Sequence, residues 1–301
     1  MFTKYKLVIV LIITAALFSC QKTSTDRGPE KVIKVGFMIC NSEEETLYRF
    51  RPLTAFLGKK LGVKMEAAAI DTIQFTKEVE HLDFTHTNSL LYIILNRFHG
   101  VKVLTADAQG PLGFKSTGAI VTTKDSDIKT IKDLKGRSMI FGPMLGPTGY
   151  LQQYDLMLRD GINPEDDLSF YTIPTGTYKH EKVIYSVLYG KFDAGAFQML
   201  DFEKMIEDGK IVPEDFRIIA EGDPIPYCTF GYTQKVEDQF AERFKKALLE
   251  LKESDTVEID GETVSILKRA RLDGFAGVKD EDYNIVRDIA KRTNMPPYQK
   301  Y

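Results

Sequence analysis

The chain is poor in the residues from which most metal, redox and nucleic-acid sites are built. Its 301 residues include 3 cysteines, 4 histidines and no tryptophan. Three cysteines exclude a disulfide scaffold. Neither the histidines nor the scattered acids stand at metal-ligand spacing, so no metal is expected. There is no basic surplus: 40 Lys+Arg against 43 Asp+Glu give a net charge of −3, which excludes a general nucleic-acid binder. Catalytic signatures are missing as well. There is no G-x-S-x-G, no Walker A loop and no G-x-G-x-x-G, and His180-Glu181 lacks the second histidine of H-E-x-x-H. No enzyme and no cofactor is therefore expected. What is present, 43% hydrophobic and 28% charged residues, is the composition of a soluble globular protein. Its length favours two lobes over one core.

The first nineteen residues read as an export signal. Lys4 and Lys6 precede an uncharged apolar run, Leu7 to Phe18, of 12 residues. That is too short to span a bilayer core of ~30 Å as a helix. Leu17-Phe18-Ser19-Cys20 then resembles a lipobox, in which Cys20 carries the lipid. Loss of Lys4 and Lys6 leaves 38 Lys+Arg against 43 Asp+Glu, or −5, for the mature chain. Residues 20–30 are polar with Gly28-Pro29 near the end, as in a flexible tether. The expected location is the extracytoplasmic face of a bacterial envelope, held to a membrane through Cys20.

Strands and helices alternate through the rest. Val32–Ile39 is a nearly continuous apolar run, as a strand buried on both faces requires. A helix is expected over Tyr48–Lys60, with Pro52 in its first turn. Strands over Val63–Ile70, Leu82–Thr87 and Val101–Ala106 follow, with helices between them, and imply a largely parallel sheet. A second set runs from Gly118 to Ala220, and a strand over Tyr227–Thr233 returns to the first. The fold expected is α/β, a two-lobe, hinged clam shell. The first lobe is expected over residues 31–117 plus 225–301 and the second over 118–224. The ligand would lie between them, at strand ends and helix N-termini.

Phe141 to Tyr150 (FGPMLGPTGY) is the most informative segment. A strand ends, a Gly/Pro loop turns, and a helix is expected to open at Thr148 with that residue as its N-cap. The amides behind it, beginning at Gly149, and the helix dipole would attract an anion. His180, in the first turn of the next helix, could donate to the same oxyanion. Cys40, at the end of the first strand, and Cys228, in the return strand, have three open fates: a disulfide, burial, or contact with a soft ligand. Glu165-Asp166-Asp167 reads as a solvated loop.

The run Ile131–Tyr150 (IKDLKGRSMIFGPMLGPTGY), His180, and Val187–Ala196 (VLYGKFDAGA) stand in a familiar order. With Pro224-Ile225-Pro226 and Asp273-Gly274-Phe275 they resemble the phosphonate/phosphite/phosphate-type substrate-binding proteins of ABC transporters, over nearly the whole mature chain. The resemblance implies a two-lobe, periplasmic-binding-protein-like fold of type II and an oxyanion ligand held at Thr148, Gly149 and His180. Where the family has Ser-Thr-Ser, this chain has Gly146, Pro147 and Thr148, losing two hydroxyls and an N–H. The family's aromatic contacts fall at Thr72 and Ser116, and its acid in the I-P-x-D-P turn falls at Cys228. Asn88, between the third strand and its helix, joins these candidates. The family's ligand-amine acid falls at Leu200, with Asp201 adjacent. Unless Asp201 turns inward, a bound aminophosphonate would bury an unpaired ammonium, so that class is disfavoured.

The function expected is a lipid-anchored solute-binding protein that presents a small-molecule oxyanion to an ABC permease in the inner membrane. Two alternatives remain open. One is a sensory domain serving a membrane kinase or chemoreceptor. The other is an enzyme using Cys228 or Cys40 with His180 as a thiol–imidazole pair.

Overall fold

The computed structural model describes residues 32–300. The segments expected to be an export signal, a lipidated Cys20 and a tether fall outside the described residues. Two mixed sheets organise the chain. The first has six strands in the order Gly274–Gly277, Lys102–Ala108, Thr229–Tyr232, Phe84–Thr87, Ile33–Met38 and Met65–Ile70. Ile33–Met38 pairs in parallel with Met65–Ile70 and with Phe84–Thr87. The return strand Thr229–Tyr232 is inserted antiparallel between Phe84–Thr87 and Lys102–Ala108. The parallel set implied by the alternation is thus split by a strand that arrives only after the chain has passed through Gly118–Glu221.

The second sheet has five strands in the order Phe216–Glu221, Gly118–Thr123, Ala194–Gln198, Ser138–Phe141 and Phe170–Thr172. Its last three are mutually parallel. Each sheet is covered on both faces. Leu53, Leu57 and Phe244 pack one face of the first, and Leu90, Leu91 and Tyr283 the other. Met139, Phe141 and Met157 pack one face of the second, and Val183, Ile184 and Val187 the other. Where the chain passes between the sheets, Lys115–Ser116 pairs antiparallel with Ile225–Pro226. Two doubly covered sheets joined by a paired crossing make the two-lobe, type II clam shell.

Several local expectations are corrected. The first helix is Glu43–Leu61, not Tyr48–Lys60, because Ser42 caps it by accepting from the Glu45 amide at 3.1 Å. Glu43, Glu44 and Glu45 complement the dipole in the opening turn. Pro52 therefore lies well inside the helix instead of in its first turn. Tertiary burial of Phe50, Leu53 and Leu57 offsets the hydrogen bond that proline removes. Glu165-Asp166-Asp167 is a helical turn, Pro164–Asp167, opened by the Asn163 side chain. The helix Met199–Glu207 and the hairpin Thr256–Ile259 with Glu262–Ser265 were not anticipated.

The C-terminal helix Asn284–Arg292 ties the two cores together. Arg292 donates from Nε and Nη2 to the two carboxylate oxygens of Asp155, at 2.7 and 2.8 Å. Asp155 belongs to the helix Gln152–Arg159 behind the second sheet and is 1% exposed. Just beyond, Met295 packs against the cores of both sheets. Arg292→Met leaves Asp155 with Arg159 alone, and a buried carboxylate that loses a two-pronged partner costs about 1–3 kcal/mol. Urea unfolding of the variant is expected to show that loss; an unchanged midpoint would remove the strap.

Candidate functional site

The strands Ile33–Met38, Met65–Ile70, Phe84–Thr87, Ser138–Phe141, Phe170–Thr172 and Ala194–Gln198 all end at, or lead directly into loops that line, one cavity of about 1460 Å³. Parallel strands place their free ends on one side, which is why the cleft forms there. Thr148, His180 and Cys228 line this single cavity, together with Cys40, Thr72 and Asn88. Ser116 does not line it. It is 1% exposed in the crossing ribbon, with its hydroxyl directed at the Thr117 carbonyl. Gly149 does not line it either, and instead forms the floor beneath His180.

The turn at Thr148 differs from the expected helix start. A π-turn spans Pro147–Leu151 before the α-helix begins at Gln152, and Gly146 occupies the cap position. Thr148 is therefore inside the first turn, not its cap. Its hydroxyl donates to Gln198 Oε1 at 3.2 Å. As a first-turn residue, its amide has no intrahelical acceptor. Close backbone approach fixes the turn. A Cβ on Gly118 would sit 1.6 Å from the Thr148 carbonyl oxygen, so only glycine fits.

His180 rests on two further glycines. A Cβ at Gly149 or Gly142 would stand 2.4 or 2.8 Å from its Cε1. Its Nδ1 accepts from the Gln198 amide at 3.4 Å, which leaves the proton on Nε2. Burial lowers the imidazole below its ordinary value of 6.5, and the Asp201 carboxylate only partly opposes that shift. At neutral pH the ring is a neutral donor. Burial conversely raises Asp201 above the usual carboxylate range. Asp201 does line the cavity, so the argument against an aminophosphonate lapses.

The first sheet contributes a different chemistry. Asn88 accepts from the Leu91 amide as a helix cap and donates to the Leu145 carbonyl at 3.0 Å, bridging to the loop of the second sheet. Cys40 and Cys228 are free thiols, Cys40 exposed and Cys228 buried. They interact directly with each other. The imidazole beside Cys228 is that of His86, which with Asp107 lies within 4.8 Å of it. Arg49, Gln198 and Tyr227 also line the cavity and were missed. Arg49 sits on an amphipathic helix, where an arginine reads as solvated surface, and nothing in the local pattern marks it.

A cleft between two doubly covered α/β lobes, lined at strand ends by polar donors, is the architecture of a solute-binding protein. The comparisons with known proteins agree. The family model for the periplasmic substrate-binding protein of phosphonate ABC transporters matches residues 35–283, and the chain belongs to that family. The structure is similar to PhnD1 of Prochlorococcus marinus (MIT 9301) in complex with methylphosphonate, at TM-score 0.73 and 18% identity over 88% of this chain and 98% of that one. It is also similar to a phosphonate-transporter binding component of Pseudomonas aeruginosa, at TM-score 0.69 and 14% identity over 88% and 87%. A curated relative is the tetrathionate sensor histidine kinase TtrS of Salmonella typhimurium, 24% identical over 231 residues and 71% of this chain. The match spans 38% of that kinase's length. Among the described residues no helix is long and apolar enough to cross a membrane.

The depressed His180 sets a sign for pH dependence. The unfolded chain takes up a proton near 6.5, whereas the folded chain resists it, so the stability due to neutral His180 is present above 6.5 and lost as pH falls below it. Asp201 acts in the opposite sense, with stability falling as pH rises above its ordinary 3.8. Thermal melts between pH 7.5 and 5.5 are expected to fall less steeply for His180→Gln than for the parent chain. Parallel curves would show that the ring is not held neutral.

Proposed function

We propose that this chain, lipidated at Cys20 after removal of residues 1–19 and tethered by residues 20–30, binds a small oxyanion and presents it to an ABC permease. The clamp closes between a lobe of residues 31–117 plus 225–301 and one of residues 118–224. The observation that carries this reading is the convergence of Thr148, Gln198 and His180 on one cavity. The Thr148 amide, the Gln198 side-chain nitrogen that the Thr148 hydroxyl orients, and the imidazole N–H are neutral donors, which hold a desolvated anion without burying a counter-cation. The methylphosphonate in the similar Prochlorococcus protein is an anion of that size class. The lost Ser-Thr-Ser hydroxyls are partly replaced here by Gln198, whose side-chain nitrogen has no recorded acceptor among the described residues. With Asp201 in the cavity, an aminophosphonate stands beside phosphite, phosphate and methylphosphonate as a ligand. The chain binds and releases its ligand; it does not turn it over.

The match to a sensor kinase favours a second reading, in which the same clamp serves a membrane receptor and reports occupancy instead of delivering the solute. Closure biased by ligand contacts in both lobes would drive either outcome.

Thermal-shift titration with phosphite, phosphate, methylphosphonate and 2-aminoethylphosphonate tests the site. At least one is expected to stabilise the chain, and Thr148→Val is expected to weaken that ligand about tenfold, the loss of roughly 1.4 kcal/mol of hydrogen bonding. No shift with any of the four overturns the oxyanion reading. Co-purification from native membranes with a permease and its ATPase supports delivery, and recovery of a histidine kinase supports sensing.

A further inference from the structure

The cleft carries a second chemistry that oxyanion binding does not use. Cys40 follows the strand Ile33–Met38 and Cys228 precedes the strand Thr229–Tyr232, so the two reach the cavity from the same sheet. Both are free, and one is open to the cavity while the other is buried behind it. The Cys40 thiol lies 3.9 Å from the Met38 carbonyl, and its interaction with Cys228 lowers Cys40 from its ordinary 9.0 and raises Cys228 well above it, which makes Cys40 the more readily ionised of the two. Arg49 lines the same cavity, and its Nε and Nη2 both donate to the Ala270 carbonyl, which fixes the guanidinium in place. Behind Cys228 lies a buried base. His86 Nε2 and Asp107 Oδ2 are 2.9 Å apart, both residues lie within 4.8 Å of Cys228, and Asp107 Oδ1 has no partner.

We propose that Cys40 and Cys228 form a covalent capture site for anionic disulfide-bonded solutes, with Cys40 as the attacking thiol and Cys228 as the resolving one. The Cys40 thiolate attacks one sulfur of R–S–S–R, forming a Cys40–S–S–R bond and releasing RS⁻. Cys228 then gives its proton to the Asp107–His86 pair and attacks the Cys40 sulfur, releasing the second RS⁻. The two thiols are oxidised to a Cys40–Cys228 disulfide, the solute's S–S bond is reduced to two thiolates, and one proton remains in the protein. Arg49 supplies the preference for an anion. This inference rests on the cavity being the ligand site, but not on the ligand being a phosphorus oxyanion.

The test uses the full chain, reduced, desalted and incubated with oxidised glutathione, followed by intact mass and peptide mapping that separates Cys20. The parent chain is expected to end as the Cys40–Cys228 disulfide. Cys228→Ser is expected to stop as a glutathione adduct at Cys40, and Cys40→Ser to react at least tenfold more slowly at Cys228. Asp107→Asn should leave adduct formation in the Cys228→Ser background unchanged and slow the resolving step at least tenfold in the parent. Neutral 2-hydroxyethyl disulfide should react at least tenfold more slowly than oxidised glutathione. Thiols that stay unmodified in the folded chain but react in urea overturn the proposal, as does equal reactivity of Cys228 when Cys40 is absent. Equal rates for the neutral disulfide overturn its anionic selectivity. The two readings separate cleanly: an oxyanion thermal shift that persists in Cys40→Ser without thiol exchange keeps the solute reading and removes this one, and the converse result removes the oxyanion and keeps the thiols.

Discussion

The second-lobe wall of the cleft depends on one close approach of backbone to backbone. Gly118, opening a strand of the second sheet, lies so near the Thr148 carbonyl that no side chain fits between them. This contact holds the π-turn Pro147–Leu151 against the sheet and fixes where its unpaired amides point. Gly142 and Gly149 extend the same logic, clearing the space in which the His180 ring lies flat and accepts from the Gln198 amide. Three glycines thus hold a set of neutral donors that would otherwise be free to rearrange, and pre-organisation of that kind lowers the entropy lost on binding.

Around that turn the two lobes are linked unequally. At the cleft the side-chain bridge is light, a single hydrogen bond from Asn88 to the Leu145 carbonyl. At the back the C-terminal helix makes a two-pronged ion pair with buried Asp155 and threads Met295 into both cores. A strong back and a light front are what a clamp needs, because the front must open without separating the halves. Family membership and the shared architecture with phosphonate-binding proteins fit that division.

The first lobe brings a thiol pair where its relatives' I-P-x-D-P turn carries an acid. Cys228 is buried and backed by His86, whose ring is bracketed by Phe37, Phe50 and Phe230. A histidine packed among three phenylalanines has little water to solvate a charge, so Asp107 is its main polar partner. The cleft therefore offers neutral donors on one wall and soft sulfur beside a guanidinium on the other.

The strand and helix order, both glycine-ended helices of the second lobe, and the positions of Thr148 and His180 in opening turns were legible in the sequence, because apolar periodicity and helix-end chemistry are local. Ser42 with its run of glutamates was equally local, yet Pro52 masked it and placed the helix start a turn and more too late. Asn88 and Thr72 could be named but not oriented, and Ser116 and Gly149 were named for a cavity they do not face. Only the tertiary structure could bring Arg49 to Cys40 and Cys228, or His86 to Asp107, since these residues stand on strands and helices far apart in the chain. The sequence by itself determined which segments end in a strand tip or a helix start. The insertion of Thr229–Tyr232 between two earlier strands decided which tips share a cavity, because sheet order is set by long-range pairing that no local pattern encodes.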